Sequence, residues 1–158
     1  MILAVDTNIL LDILIPNTSH VQSSLTCLTD IEQNDDLIIC EVVFAELSSQ
    51  FLSHAELKKF LSDTGIRLVP STENTLFEAA TAWKAYSSRR KNVIICPSCA
   101  KAQKVSCTSC KETISYRQHI LSDFLIGAHA KTQADKRITR DRGFYKTYFT
   151  DLHILTPK

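Results

Sequence analysis

A parallel α/β fold, one sheet of four to five strands covered by helices, is predicted by three observations. Short apolar runs alternate along the chain with stretches of helical periodicity, the pattern that strand-helix-strand units leave in a sequence. The first run, Ile2-Leu3-Ala4-Val5, is apolar at every position, as expected of a strand buried on both faces. Finally, 158 residues with 44% hydrophobic content suffice for one sizeable core, so residues 1–158 read as a single domain.

The elements follow in order. Ile2 to Val5 is the first strand, and Asn8 to Ile15 a short helix stopped by Pro16. Val21, Leu25 and Leu28 share one face of a second helix, closed by the turn Asn34-Asp35-Asp36. Leu37 to Cys40 is the second strand. Phe44, Leu47 and Phe51 form a core-facing stripe that leaves Glu46 one position off it, near the helix start. Leu57, Phe60 and Leu61 mark a fourth helix, Arg67-Leu68-Val69 the third strand, and Leu76, Phe77, Ala80 and Trp83 the face of a long helix. Regularity lapses from about Asn92 to Arg117. It resumes with Leu121, Phe124, Leu125 and Ala128, a helix that Ser122 or Asp123 could cap. Arg137-Ile138-Thr139 is the fourth strand, ending just before Asp141, and Leu152 to Leu155 the candidate fifth.

Charge is divided unevenly. Residues 89–117 hold seven Lys/Arg (Arg89, Arg90, Lys91, Lys101, Lys104, Lys111 and Arg117) against Glu112 alone, a local charge of +6 in a chain of net +1. The remainder is therefore −5. No run approaches the roughly 18 apolar residues of a membrane span. The first apolar run is short, broken by Asp6 and Asp12, and lacks the flanks of a secretory signal. The expectation is a cytoplasmic protein with no membrane partner.

Asp6 and Asp141 each follow a predicted strand, and Asp123 opens a predicted helix. Singly, each has an ordinary explanation as a turn residue, a helix cap or a loop acid, and Glu46 alone reads as a solvated helix residue. Asp12 and Asp30 read as surface acids, and Asp35-Asp36 as a turn. In a parallel sheet, however, the C-terminal strand ends share one edge, where residues distant in sequence converge. Four carboxylates gathered there repel one another unless cations neutralise them. An all-oxygen donor set suits Mg²⁺ or Mn²⁺, and the chemistry it implies is metal-assisted phosphodiester hydrolysis.

These residues resemble the PIN-domain nucleases, and within them the VapC-type toxins. The resemblance rests on Val5-Asp6-Thr7-Asn8, on Ala45-Glu46-Leu47, on Leu121 to Ala130 with Asp123 in its first turn, and on Thr139-Arg140-Asp141-Arg142-Gly143-Phe144-Tyr145. It implies a three-layer α/β/α fold and an Mg²⁺- or Mn²⁺-dependent endoribonuclease. Asp6, Glu46, Asp123 and Asp141 would bind the metal, while Asn8 and Thr139 would support and orient them. It also implies a cognate antitoxin, an RNA substrate and a homodimer. The metal would activate a water and stabilise charge at the scissile phosphate, with no Ser or His nucleophile.

Cys96-Pro97-Ser98-Cys99 and Cys107-Thr108-Ser109-Cys110 form two Cys-x₂-Cys pairs seven residues apart. Four thiolates so arranged can enclose one structural Zn²⁺; two disulfides or redox-active pairs are the alternative. Cys27 and Cys40 stand outside this array as small apolar residues. The segment 92–117 thus reads as a zinc-ribbon-like insert ahead of Asp123, ordered by metal rather than by apolar burial. Zinc with four thiolates carries about −2, so the insert stays cationic. Its basic residues could hold RNA phosphates or merely solvate an exposed lobe. Tyr116 could stack on a base or pack, and His119 and His129 are assigned no catalytic role.

Two further functions remain open: a PIN-type RNA-processing nuclease that is not a toxin, and a non-catalytic protein that binds RNA through the zinc lobe.

Overall fold

The computed structural model describes residues 1–15, 19–32, 35–89, 94–95, 101–114, 119–141 and 143–158. Strand β1 (Ile2–Val5) lies at the centre of a five-stranded parallel sheet with β2 (Asp36–Ile39), β3 (Ile66–Leu68), β6 (Lys136–Ile138) and β7 (Ile154–Leu155), in the order β3-β2-β1-β6-β7. The predicted strands are present with bounds shifted by a residue or two. All four pairings are parallel, so every strand ends at the same edge.

Alternation along the strands divides the interior in two. Leu3, Val5, Leu37, Ile39 and Ile138 face one layer with Ile9 and Leu10 of α1 (Thr7–Leu14), Leu28 of α2 (Val21–Glu32), Val43 and Leu47 of α3 (Glu41–Ser48), and Leu57 and Leu61 of α4 (His54–Asp63). Ala4 and Ile38 face the other layer, with Ala79 and Tyr86 of α5 (Glu73–Arg89), Phe124, Ala128 and Ala130 of α6 (Leu121–Gln133), and Phe144 and Tyr145 of α7 (Gly143–Tyr148). Helices on both faces explain why β1 is apolar throughout and β2 from Leu37 onward. The result is a three-layer α/β/α fold.

Several local expectations are corrected. Helix α1 stops at Leu14, and Ile15 is extended (φ −96°, ψ 115°), as the residue before a proline must be. Leu25 is exposed and Ser24 is buried in its place on the core side of α2. Phe51 falls beyond the end of α3 and packs its ring on Phe60. On α5 the buried positions are Thr75, Ala79 and Tyr86, whereas Leu76 and Phe77 face outward. The core side of α5 is set by hydroxyl pairing, because Thr75 bonds Thr132 of α6 at 2.6 Å. Helix α6 is buried nearly all round, and Ile120, not Ser122 or Asp123, occupies its N-cap position.

Between α5 and α6, β4 (Ile94–Ile95) pairs antiparallel with β5 (Ala102–Gln103). Ser106 bridges Thr113, closing a second, tighter loop around Cys107 and Cys110. Cys96 and Cys99, together with Arg90, Lys91, Tyr116 and Arg117, lie outside the described residues. Among those described, no helix is long and apolar enough to cross a membrane.

Candidate active site

The two middle strands set the site. Ala4 on β1 is in register with Arg137 on β6, and with side chains alternating, Asp6 and Thr139 continue the same face two residues later. Asp6 occupies the N-cap position of α1, yet its carboxylate makes no capping bond. It turns into the interior and is 6% exposed. Oδ2 accepts from Asn8 Nδ2 at 2.8 Å and from the Thr139 hydroxyl, while Oδ1 pairs with Arg137 Nη2 at 2.8 Å. Asp6 thus stands at the N-cap position while its side chain bonds Asn8, Thr139 and Arg137 instead of capping.

Around this pivot the other acids are tied one by one. The Thr7 hydroxyl donates to Glu46 Oε2, joining the start of α1 to the exposed carboxylate on α3. Asp141 donates its backbone N–H to Thr139 Oγ1 at 3.0 Å, and its Oδ1 accepts from the N–H groups of Gly143 and Phe144 at the start of α7. Asp123 is turned toward its own helix start: its Oδ2 accepts the Ile120 N–H at 2.9 Å and stands 3.8 Å from His119 Nδ1. Burial holds the Tyr145 hydroxyl well above the usual tyrosine range against the opposing charge of Arg137, with smaller contributions in the same direction as burial from Asp6, Asp123 and Asp141. Among the described residues, no three His, Cys, Asp or Glu side chains are gathered closely enough to grip an ion. The donor chemistry nevertheless fits a hard divalent cation, because the acids around this edge offer only oxygen.

Arg137 is the residue that the sequence reading passed over. It is 1% exposed; Nη2 also donates to Tyr145 Oη at 2.7 Å, and the guanidinium carbon lies 3.9 Å from the Tyr145 ring centroid. Burial opposes its charge, but Asp6, through its charge and its hydrogen bond, together with Tyr145 outweighs burial and holds its pKa above the ordinary arginine value. Arg67 also lies inside a strand, at the second position of β3 rather than of β6, yet is exposed, so it is the place of β6 beside the central strand that buries Arg137, and a buried guanidinium needs an acid.

Asp12 is corrected as well. It is 2% exposed rather than a surface acid, accepting from Ser24 Oγ at 2.6 Å and pairing with Arg140 Nη2 at 2.7 Å. Arg140 also reaches the Asn8 carbonyl, so this pair anchors α1 and α2 to the loop that carries Asp141. His129 contacts the Val69 carbonyl through Nε2 at 2.8 Å, and burial depresses its pKa. Burial raises the thiol pKa of both Cys27 and Cys40, in keeping with apolar roles. Arg89, Lys101, Lys104 and Lys111 are exposed, and Lys111 Nζ donates to the Thr108 carbonyl at 2.8 Å.

A parallel α/β sheet whose central strand delivers a buried carboxylate to its C-terminal edge, with further acids around it, defines an α/β protein with an acidic edge site. The family model of the PIN domain matches residues 3–150, and the chain belongs to that family, whose members are typically metal-dependent nucleases. Two solved structures share the fold. VapBC2 from Rickettsia felis, bound to a DNA fragment from its promoter, is 18% identical with a TM-score of 0.64, covering 100% of both chains. VapBC-1 from nontypeable Haemophilus influenzae is 15% identical with a TM-score of 0.64, covering 99% of this chain and 98% of that one. Comparison with curated proteins gives no significant match.

Proposed function

We propose that this protein is an Mg²⁺- or Mn²⁺-dependent endoribonuclease, acting as the toxin of a toxin-antitoxin pair. The observation that carries the reading is Asp6: a buried carboxylate at an N-cap position that makes no capping bond and is joined through the Thr139 hydroxyl to the backbone of Asp141. Asp6, Glu46, Asp123 and Asp141 would hold the ion, and Asn8 and Thr139 fix the Asp6 oxygens. When bound, the divalent ion activates water and offsets charge on the scissile phosphate. Asp123 and Glu46 must release or share their present partners, Ile120 N–H and Thr7, to join in. The toxin assignment, with an antitoxin partner and a homodimer, draws on membership in the PIN family and on the VapBC structures that share the fold.

The insert at 92–117 binds one structural Zn²⁺ through Cys96, Cys99, Cys107 and Cys110. Its described half supports this: backbone N–H groups of Cys110 and Ser109 lower the Cys107 thiol pKa, and Lys111 takes the left-handed turn (φ 63°) that follows the second cysteine. These are features of a loop shaped around a thiolate. The basic residues Arg89, Arg90, Lys91, Lys101, Lys104, Lys111 and Arg117 offer phosphate contacts that carry no sequence preference. The same array also favours a second reading, a PIN-type RNA-processing nuclease. Growth arrest on expression, relieved by a neighbouring small gene product, supports the toxin reading, and its absence the processing one.

Purified protein is expected to cleave structured RNA with added Mn²⁺ and not without it. Asp141→Asn should slow cleavage at least about 100-fold. Cleavage that is independent of metal, or an Asp141→Asn rate equal to native, would overturn the site assignment.

A further inference from the structure

We infer that Arg137 is a positioning residue that serves as a resident counter-cation of the carboxylate site, occupying part of Asp6 and weakening the grip on the divalent ion. The inference rests on the metal-dependent reading above.

An ionised carboxylate offers about four lone-pair positions over its two oxygens. On Asp6, Oδ2 already accepts from Asn8 and Thr139, and Oδ1 from Arg137. One position is left, on the oxygen that the guanidinium holds. An ion reaching Asp6 therefore shares Oδ1 with a fixed positive charge.

That charge cannot swing away. Arg137 springs from the middle of β6, beside the small side chain of Ala4, and Tyr145 both stacks on its guanidinium and accepts from it. It is nine-tenths buried and more, and its Nε and Nη1 have no hydrogen-bond partner among the described residues. A guanidinium kept for packing alone would be expected to have its donors satisfied. Here the N–H groups of Nε and Nη1 are unpaired among the described residues while the ion pair to Asp6 is kept, so the charge beneath the acid is what this position supplies. Two consequences follow. Asp6 is oriented without any metal, and a divalent ion meets less net negative charge than the acids alone would present.

The test is a Mn²⁺ titration of the full chain, following free Mn²⁺ by electron paramagnetic resonance alongside thermal unfolding with and without Mn²⁺. Arg137→Gln removes the charge and should bind Mn²⁺ at least about tenfold more tightly than native. It should also gain more thermal stability from Mn²⁺ than native does, since the ion replaces the lost cation. Arg137→Lys keeps the charge and should bind within about threefold of native. A purely structural role would lower stability and leave Mn²⁺ affinity unchanged; that result, or weaker binding by Arg137→Gln, overturns the proposal. Should Arg137→Gln fold only with Mn²⁺, the proposal is supported. Should it fold in neither condition, Arg137→Lys decides, and a tenfold departure from native affinity in either direction overturns the proposal. Native protein that binds no Mn²⁺ overturns the metal reading itself, and this inference with it.

Discussion

Asp6 and Asp141 lie close in the fold but stand in opposite energetic positions. Asp6 neutralises a buried guanidinium, so Asp6→Asn strands that charge, and breaking a buried pair in this way costs about 3–5 kcal/mol. Asp141 is exposed and holds the start of α7 by accepting from Gly143 and Phe144. Asparagine caps about as well as aspartate, so Asp141→Asn should stay within about 0.5 kcal/mol of native. Urea unfolding of the two variants checks the contrast, and equal midpoints would refute it. Loss of cleavage in Asp6→Asn alone would thus be ambiguous, whereas loss in Asp141→Asn reports on the site. Asp6 could be picked from the sequence because it ends the apolar run Ile2 to Val5, whereas Asn8 and Thr139 follow only from the resemblance to the PIN family. The Asp6–Arg137 pair could not, since its members are 131 positions apart and meet only across a strand pairing.

At the level of elements, α6 governs how the second layer packs. Gly127 is buried within it, and a Cβ built there would overlap the ring of Phe149. Gly127→Ala should therefore destabilise the protein by about 1–3 kcal/mol despite its better helix propensity. Adding Phe149→Leu should recover part of that loss, with a coupling of at least about 0.5 kcal/mol in denaturant unfolding. Simple additivity of the two changes would show that the ring is not the obstacle. Helical existence was plain in the sequence for α5 and α6, but the buried face of α5 was misassigned. Apolar periodicity favoured Leu76 and Phe77, and the decisive contact, Thr75 against Thr132, carries no apolar signal. The cap of α6 was displaced for a related reason: Asp123 bonds backward to Ile120, a pattern that leaves a non-polar residue at the N-cap.

For the whole molecule, the proposed function places two metals apart, a divalent ion among the acids and a zinc among the cysteines of the cationic segment 92–117. Elemental analysis should find about one zinc per chain. Cys107→Ser should lower zinc affinity at least about 100-fold. A zinc-free protein, or a Cys107→Ser variant that retains zinc equally well, would refute the four-cysteine zinc site. The sequence by itself determined the alternation of strands and helices, the acids at strand ends and the cysteine spacing, because these are local patterns read within a few residues. Only the tertiary structure decided that β6 lies beside β1, that Arg137 is thereby forced under Asp6, and that Asp12 is buried against Arg140. Such pairings are non-local: no residue in β1 encodes its neighbour across the sheet. The partner of a buried charge is fixed by strand order, which emerges when the whole core closes.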